Sequence, residues 1–260
     1  MEKLYVIKIG GNIVDNPVLL TECLTAFSAL KGQAILVHGG GKMATQLATS
    51  MGVEQTMVDG RRITDAETLK IVTMVYAGYI NKNIVAQLQA LGLQAMGLTG
   101  ADGNLITAHK RTGASIDYGF VGDVDGINES FIEQLLNSNI KLVVAPITHD
   151  GHGQLLNTNA DTIAQSIATG MAKHFEVHLI YGFEREGVLS DVNDPSSVIA
   201  FIDRPVYGTL KDQKVIFEGM IPKIDNAYLA LEGGVQSVII GKAEKLNQLI
   251  NGTAGTTIKI

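Results

Sequence analysis

Two apolar runs near the start of the chain end in consecutive glycines: Val6-Ile7-Lys8-Ile9-Gly10-Gly11-Asn12, and Ile35-Leu36-Val37-His38-Gly39-Gly40-Gly41-Lys42. A glycine turn between a strand and a helix lets several backbone N–H groups converge on one anion, with the positive end of the helix behind them. Lys8 ends the first run and Lys42 follows the second turn. Fixed N–H groups beside a lysine suit phosphoryl transfer, which depends on positioning and on neutralising charge. Further on, Asp161 opens a helix after Asn157-Thr158-Asn159, and Lys223 stands beside Pro222 at another helix start. From the pattern alone Asp161 is expected to be an N-cap. A cation at a helix start opposes the dipole, so an anion nearby would make sense of Lys223, although most such lysines are merely solvated.

Other chemistries fit less well. Gly39-x-Gly41-x-x-Ala44 matches the degenerate dinucleotide fingerprint, with Asp59 near where an acidic residue would hold a ribose. An NAD-binding oxidoreductase would leave the first turn and the lysines without a role. Leucine at position 36 and Met43 after Lys42 exclude a P-loop of the usual kind, and no Gly-x-Ser-x-Gly elbow supports a serine hydrolase. His149 and His152 flank Asp150, and His174 and His178 straddle a helix-to-strand boundary, so no metal site is expected.

The elements that must position these residues alternate along the chain. Leu20, Leu24 and Phe27 recur at helical spacing after the first turn, and Met43, Leu47 and Met51 after the second. Residues 53–63 suggest a hairpin turning at Asp59-Gly60, with Arg61 and Arg62 on its return strand. The longest helix, Thr64 to Leu91, opens with Thr64 and Glu67 as a capping box and carries a stripe of Leu69, Val72, Tyr76, Ile80, Ile84, Leu88 and Leu91. It suits a subunit contact or a place on the sheet equally well. A hairpin over 105–124, a helix from about Asn128, a strand over 142–145 and a helix after Asp161 follow, and the strand from Val177 opens a second lobe. Strands alternating with helices predict an α/β protein with a mainly parallel sheet covered on both faces.

With 46% hydrophobic residues among 260, the chain can bury a large core as one body of two lobes, 1–173 and 174–260. Its net charge of −6 argues against nucleic acid as the main partner. The single cysteine, Cys23, cannot form an intrachain disulfide, the N-terminus lacks a signal-peptide layout, and no apolar run is long enough for a membrane span. A cytoplasmic protein without a membrane partner is expected.

Taken together, Lys8-x-Gly10-Gly11, His38-Gly39-Gly40-Gly41, Gly60-x-Arg62-x-Thr64, Asn157-x-Asn159-Ala160-Asp161 and Gly219-Met220-x-x-Lys223 resemble the amino acid kinase family, in the right order from residue 5 to 227. The resemblance implies an open three-layer αβα sandwich around a mainly parallel, about eight-stranded sheet. It implies ATP-dependent phosphorylation of the γ-carboxylate of N-acetyl-L-glutamate in arginine biosynthesis, with Mg²⁺ carried on the nucleotide and no metal held by the protein. The same reaction on N-succinyl-L-glutamate, or a non-catalytic amino acid and nucleotide sensor, stays open. Carried over, Lys8, Asp161 and Lys223 are catalytic, with Asp161 orienting both lysines, which overrides the N-cap reading. Gly40, Gly41, Arg62, Asn157 and Asn159 bind the acyl-amino acid, Arg62 through its α-carboxylate. Gly10, Gly11, Glu184, Gly187, Gly219 and Met220 join the two lysines around ATP. The segment Tyr181-Gly182-Phe183-Glu184 departs from the family's Ser/Thr-Asp-Val pattern, with Glu184 in the aspartate's stead. The chain opens directly on its first strand, without the N-terminal helix that builds arginine-inhibited hexamers in the family. An arginine-insensitive homodimer joined through the 64–91 helix is therefore expected.

Overall fold

The first apolar run forms β1 (Lys3–Ile9), buried from Leu4 onward. In the computed structural model, which describes residues 1–58, 61–113, 116–216 and 220–260, this strand lies near the middle of the large sheet. It leads through α1 (Gly11–Val14) and α2 (Pro17–Ser28) to β2 (Gln33–His38) and α3 (Gly41–Ser50). Short β3 (Met57–Val58) and β4 (Arg61–Arg62) pair antiparallel, with Arg62 on the return strand as expected; Asp59 and Gly60, the expected turn, lie outside the described residues. Then come α4 (Ala66–Thr73), a π-helical turn (Met74–Ile80), α5 (Asn81–Ala90), β5 (Ala95–Leu98), β6 (Ile106–Lys110), β7 (Val121–Ile127) and α6 (Glu129–Asn137). The remainder is β8 (Lys141–Val144), β9 (Ile147–His149), β10 (Leu155–Thr158), α7 (Ala160–Met171), β11 (Glu176–Phe183), β12 (Phe201–Ile202), α8 (Arg204–Asp212), α9 (Ile221–Glu232), β13 (Ser237–Lys242), α10 (Leu246–Ile250) and β14 (Thr256–Ile258).

Eight strands form one sheet in the order β12-β14-β13-β11-β1-β2-β8-β5, parallel except where β13 meets β14. In register, Lys8 faces Tyr181 on one side and Val37 on the other, so β1, β2 and β11 end level. Apolar clusters cover both faces. Leu4 and Val6 of β1 pack with Ile163, Ala164 and Ile167 of α7, whereas Tyr5, Ile7 and Ile9 join Ile80 and Ile84 on the other side. Strand alternation then puts Lys8 on the α7 face and His38 of β2 on the α5 face. Among the described residues no helix is long and apolar enough to cross a membrane.

Three expectations change. The cap of the long helix is Asp65, whose carboxylate accepts from the Thr68 N–H at 2.7 Å; Thr64 is held by a bridge to Gly119, its hydroxyl donating to the Arg62 carbonyl. The cap thus falls one residue later than expected, because Asp65 has the extended backbone a cap requires, and Glu67 pairs with Lys70 at 2.7 Å. The helix is not uniform either, since the π turn winds in extra backbone between α4 and α5. Leu91, at the end of the expected stripe, lies past α5 and is exposed. Finally, β6, β7, β9 and β10 close into a small barrel beside the main sheet.

Candidate active site

Lys8 and α7 meet where β1 ends. The Lys8 ammonium lies 2.7 Å from Asp161 Oδ1, and that of Lys223, from the first turn of α9, lies 2.8 Å from Oδ2. One carboxylate therefore holds two cations, all three side chains being largely shielded from water. Burial would raise the Asp161 carboxyl, yet Lys8 and Lys223 overcome it and hold the group at about 2. Burial pulls Lys8 below the ordinary lysine range, and Asp161 opposes that pull. Asp161 is not the N-cap of α7. Asn159 is, its side-chain oxygen accepting from the Asp161 and Thr162 N–H groups at 2.8 and 3.2 Å. With Asn159 in the extended cap conformation, Asp161 falls inside the first turn and its carboxylate is free to face the lysines.

The two glycine turns lie against each other. The Gly39 N–H donates to the Ile9 carbonyl at 3.0 Å, and a Cβ added to Gly11 would stand 3.5 Å from the Gly41 nitrogen and 3.7 Å from that of Gly40. Gly11 and Gly41 begin α1 and α3, whose first-turn N–H groups have no partner within their helices. Gly40 has φ +155°, and a Cβ there would come within 2.2 Å of Ile80 Cδ1, so this turn tolerates no side chain.

Beneath the second turn lies a polar brace. His38 is fully buried, with Nδ1 2.8 Å from the Gly39 carbonyl oxygen and Nε2 3.2 Å from Asn81 Nδ2. The Asn81 amide also donates to the Val143 carbonyl at 2.9 Å. With Asn81 donating, Nε2 accepts and Nδ1–H donates, an assignment made from these partners and consistent with burial lowering the ring to about 4.

Two clefts flank the triad. The first, about 690 Å³ with its mouth included, is walled by Gly40, Gly41, Arg62, Asn157 and Asn159 together with Tyr76, Arg111 and Val121. Arg62 donates through Nη2 to the Gly41 carbonyl and Thr45 Oγ1, both at 2.9 Å, and through Nη1 to Gln55. The Asn157 amide donates to Thr64 Oγ1 at 3.0 Å. The second cleft is lined by Glu184, Gly187 and Met220 with Phe183, Val188 and Ile216. Ala160 of the first wall precedes Asp161, and Met220 of the second lies one turn before Lys223, so the triad separates the two. Asn12, just past Gly10 and Gly11, donates to Glu184 at 2.8 Å and ties the first turn to the end of β11. Gly219 lies outside the described residues.

His38, Asn81, Tyr76 and Arg111 were not among the residues expected at this site. His38 directly precedes the glycines on a buried strand, which was a usable signal; nothing in the spacing marks Asn81 or Arg111. Three other histidines sit beside carboxylates, His109 with Asp125, His174 with Glu129, and His178 with Glu176 and Ser237. Among the described residues no group of three or more His, Cys, Asp or Glu side chains could hold a metal ion.

A model of the amino acid kinase family matches residues 3–242. The chain is 55% identical to acetylglutamate kinase of Cytophaga hutchinsonii over 99% of both chains. It is 50% identical to acetylglutamate kinase of Bacteroides thetaiotaomicron over 99% of both, and 37% identical to that of Methanopyrus kandleri over 94% of this chain and 96% of the other. Among solved structures, N-acetylglutamate synthase from Neisseria gonorrhoeae superposes with a TM-score of 0.81 at 20% identity; all of this chain is covered, spanning 59% of the synthase. Carbamate kinase from Giardia lamblia gives 0.71 at 12% identity, over 99% of this chain and 98% of the other. These two likenesses speak for the fold, while the sequence identities carry the assignment: the chain belongs to the amino acid kinase family.

Proposed function

We propose that the protein transfers the γ-phosphoryl group of ATP to the γ-carboxylate of an N-acylated L-glutamate, N-acetyl-L-glutamate in the form its relatives' name gives, as a step of arginine biosynthesis. The observation that carries this is the Asp161 carboxylate gripping Lys8 and Lys223 between two clefts. The nucleophile, with a reference pKa of about 4.3, is already ionised at neutral pH, so no general base is required. A γ-carboxylate oxygen forms a bond to the γ-phosphorus, the bond from phosphorus to the bridging oxygen breaks, and its electron pair leaves on ADP. The barrier is the approach of two anions. Lys8 meets the transferring group from the acyl-amino acid side and Lys223 from the nucleotide side, while the Gly11, Gly40 and Gly41 N–H groups bind equatorial and substrate oxygens. Mg²⁺ arrives on the ATP phosphates and contributes its charge there.

In this reading residues 1–173 hold the acyl-amino acid, with Arg62 on its α-carboxylate and Asn157 and Asn159 near its backbone, and residues 174–260 hold ATP along Glu184, Gly187, Gly219 and Met220. The protein acts in the cytoplasm as a homodimer. Exposed Met74 and Tyr79 on the long helix, with Met96 on the edge strand β5, give a second copy an apolar surface. Sedimentation of a monomer, or of a hexamer, would remove the dimer. The catalytic reading is tested by ADP release from Mg-ATP with hydroxylamine present. N-acyl-L-glutamates should yield ADP and hydroxamate while free glutamate and aspartate do not; ATP binding without hydroxamate from any N-acyl-L-glutamate would leave a sensor instead.

A further inference from the structure

The carbonyl and the N–H of one trans peptide point in opposite directions, so whatever grips the oxygen also aims the hydrogen. The Gly39–Gly40 peptide is such a unit, since the described residues contain no cis bond. Its oxygen is held from below by His38, with Nδ1 2.8 Å away on a ring that has no exposure. The N–H of the same peptide, that of Gly40, therefore points away from the buried ring. Its nitrogen lies on the side of the first glycine turn, 3.7 Å from where a Cβ on Gly11 would stand. Among the described residues no backbone carbonyl accepts from it.

His38 can grip that oxygen in only one of its neutral tautomers, and the choice is made by Asn81. Lys82 Nζ donates to Asn81 Oδ1 at 3.0 Å and to the Gly97 carbonyl at 2.8 Å, while Asn81 Nδ2 donates to the Val143 carbonyl at 2.9 Å. With its oxygen toward the lysine, the amide turns its NH₂ toward His38 Nε2, 3.2 Å away, so Nε2 accepts and Nδ1 carries the proton. Gly97 leaves no room for a side chain beside this amide. The π turn supplies the arrangement. It ends at Asn81, and its own Tyr76 and Ile80 pack against Gly40. Resting on the kinase reading, we propose that His38, with Asn81 behind it, is a positioning residue that aims the Gly40 N–H at the transferring phosphoryl group. Neither side chain meets a substrate; both act through the Gly39–Gly40 peptide.

The test has two arms. In the wild type, ring-nitrogen NMR at neutral pH should show His38 as the Nδ1–H tautomer. An Nε2–H tautomer overturns the proposal, and this arm does not depend on how any variant folds. The second arm measures kcat per folded molecule with Mg-ATP and an N-acyl-L-glutamate. His38→Phe keeps a ring without an N–H, so kcat should fall about 10²-fold, as when one transition-state donor is lost, with the ATP KM within about threefold of wild type. His38→Asn carries an amide nitrogen as many bonds from Cα as Nδ1, and should recover at least tenfold of that loss. A role in packing alone would not let the smaller Asn side chain restore kcat. A His38→Phe kcat within threefold of wild type, or no recovery in His38→Asn, overturns the positioning role and leaves the kinase reading intact. No turnover of any N-acyl-L-glutamate by the wild type overturns the kinase reading, and this role with it.

Discussion

Replacing Asp161 by Asn removes one charge and almost no volume, and so isolates what the carboxylate does for the two lysines. At an effective dielectric near 20, contacts of 2.7 and 2.8 Å each correspond to roughly 6 kcal/mol of attraction, much of it offset by the cost of taking the charges out of water. Removing one partner of such a buried set costs about 3–5 kcal/mol, because the remaining charges stay buried without compensation. Denaturant unfolding of Asp161→Asn should therefore show a loss of that order. The kinetics should split. Asp161 touches neither substrate in the proposed mechanism, and its loss leaves the site more positive, so KM for ATP should not rise. Lys8 and Lys223 lose their fixed placement, so kcat should fall about 10²–10³-fold, as when one transition-state donor is removed. The pH profile adds a signature. Burial already pulls Lys8 down and Asp161 opposes it, so without the carboxylate Lys8 loses its proton at lower pH. The variant's kcat should then begin to decline at a lower pH than the wild type's as the pH is raised. A kcat within threefold of wild type, or a rise in the ATP KM that accounts for the whole loss, would refute this account of the triad.

Other perturbations follow from the same geometry. His38 is held neutral, its ring lowered from 6.5 to about 4, so the unfolded chain takes up a proton first as the pH falls. Stability should drop by roughly 3 kcal/mol between pH 7 and 4 and then level off; in His38→Gln unfolding curves this component should vanish. Arg62→Ala should raise KM for the acyl-glutamate about 10- to 100-fold, the worth of a charge-assisted pair, with the ATP KM unchanged in steady-state assays. Gly40→Ala should lower both thermal stability and turnover, since its Cβ would meet Ile80 at 2.2 Å on a backbone of φ +155°; normal activity would mean the turn can relax without harm.

Much of this site could be read from residue types because its main parts sit at the ends of strands. The parity of β1 sends Lys8 toward α7, and Gly10, Gly11 and Gly39 to Gly41 announce their turns by composition alone. What could not be read depends on tertiary detail. Asp161 and Asn159 both satisfy N-cap preferences, and only the position of the first helical residue decides between them. The π turn at Met74–Ile80 leaves the apolar period nearly intact, so a stripe cannot reveal it. Three-residue β9 and four-residue β10 are too short to show alternation, which hid the small barrel that carries Asn157 and walls the first cleft. The bond between Asn12 and Glu184 joins residues 172 positions apart, which no local pattern could show.

The strand order explains why the two clefts share one charge cluster. From β1 the chain first adds β2 on one side; after α7 it returns to add β11 on the other. β1 is therefore the point where the direction of winding reverses, and in open α/β sheets the loops beyond such a point diverge and leave a crevice outside the strand ends. The second glycine turn borders the crevice on the β2 side and Glu184 on the β11 side. Lys8, on the dividing strand, is the residue that both halves can reach. α7 runs back under β1 from the small barrel, bringing Asp161 to that lysine, and α9 packs beside α7 to deliver Lys223. The carboxylate thus fastens an element from each half to the strand between them. A change that alters the seating of α7 on β1, such as Ile163→Ala in the shared core, should move both lysines at once and depress turnover with little effect on the binding of either substrate alone. If Ile163→Ala weakened binding of one substrate and left kcat intact, the two halves would be acting independently and the triad would not be their joint.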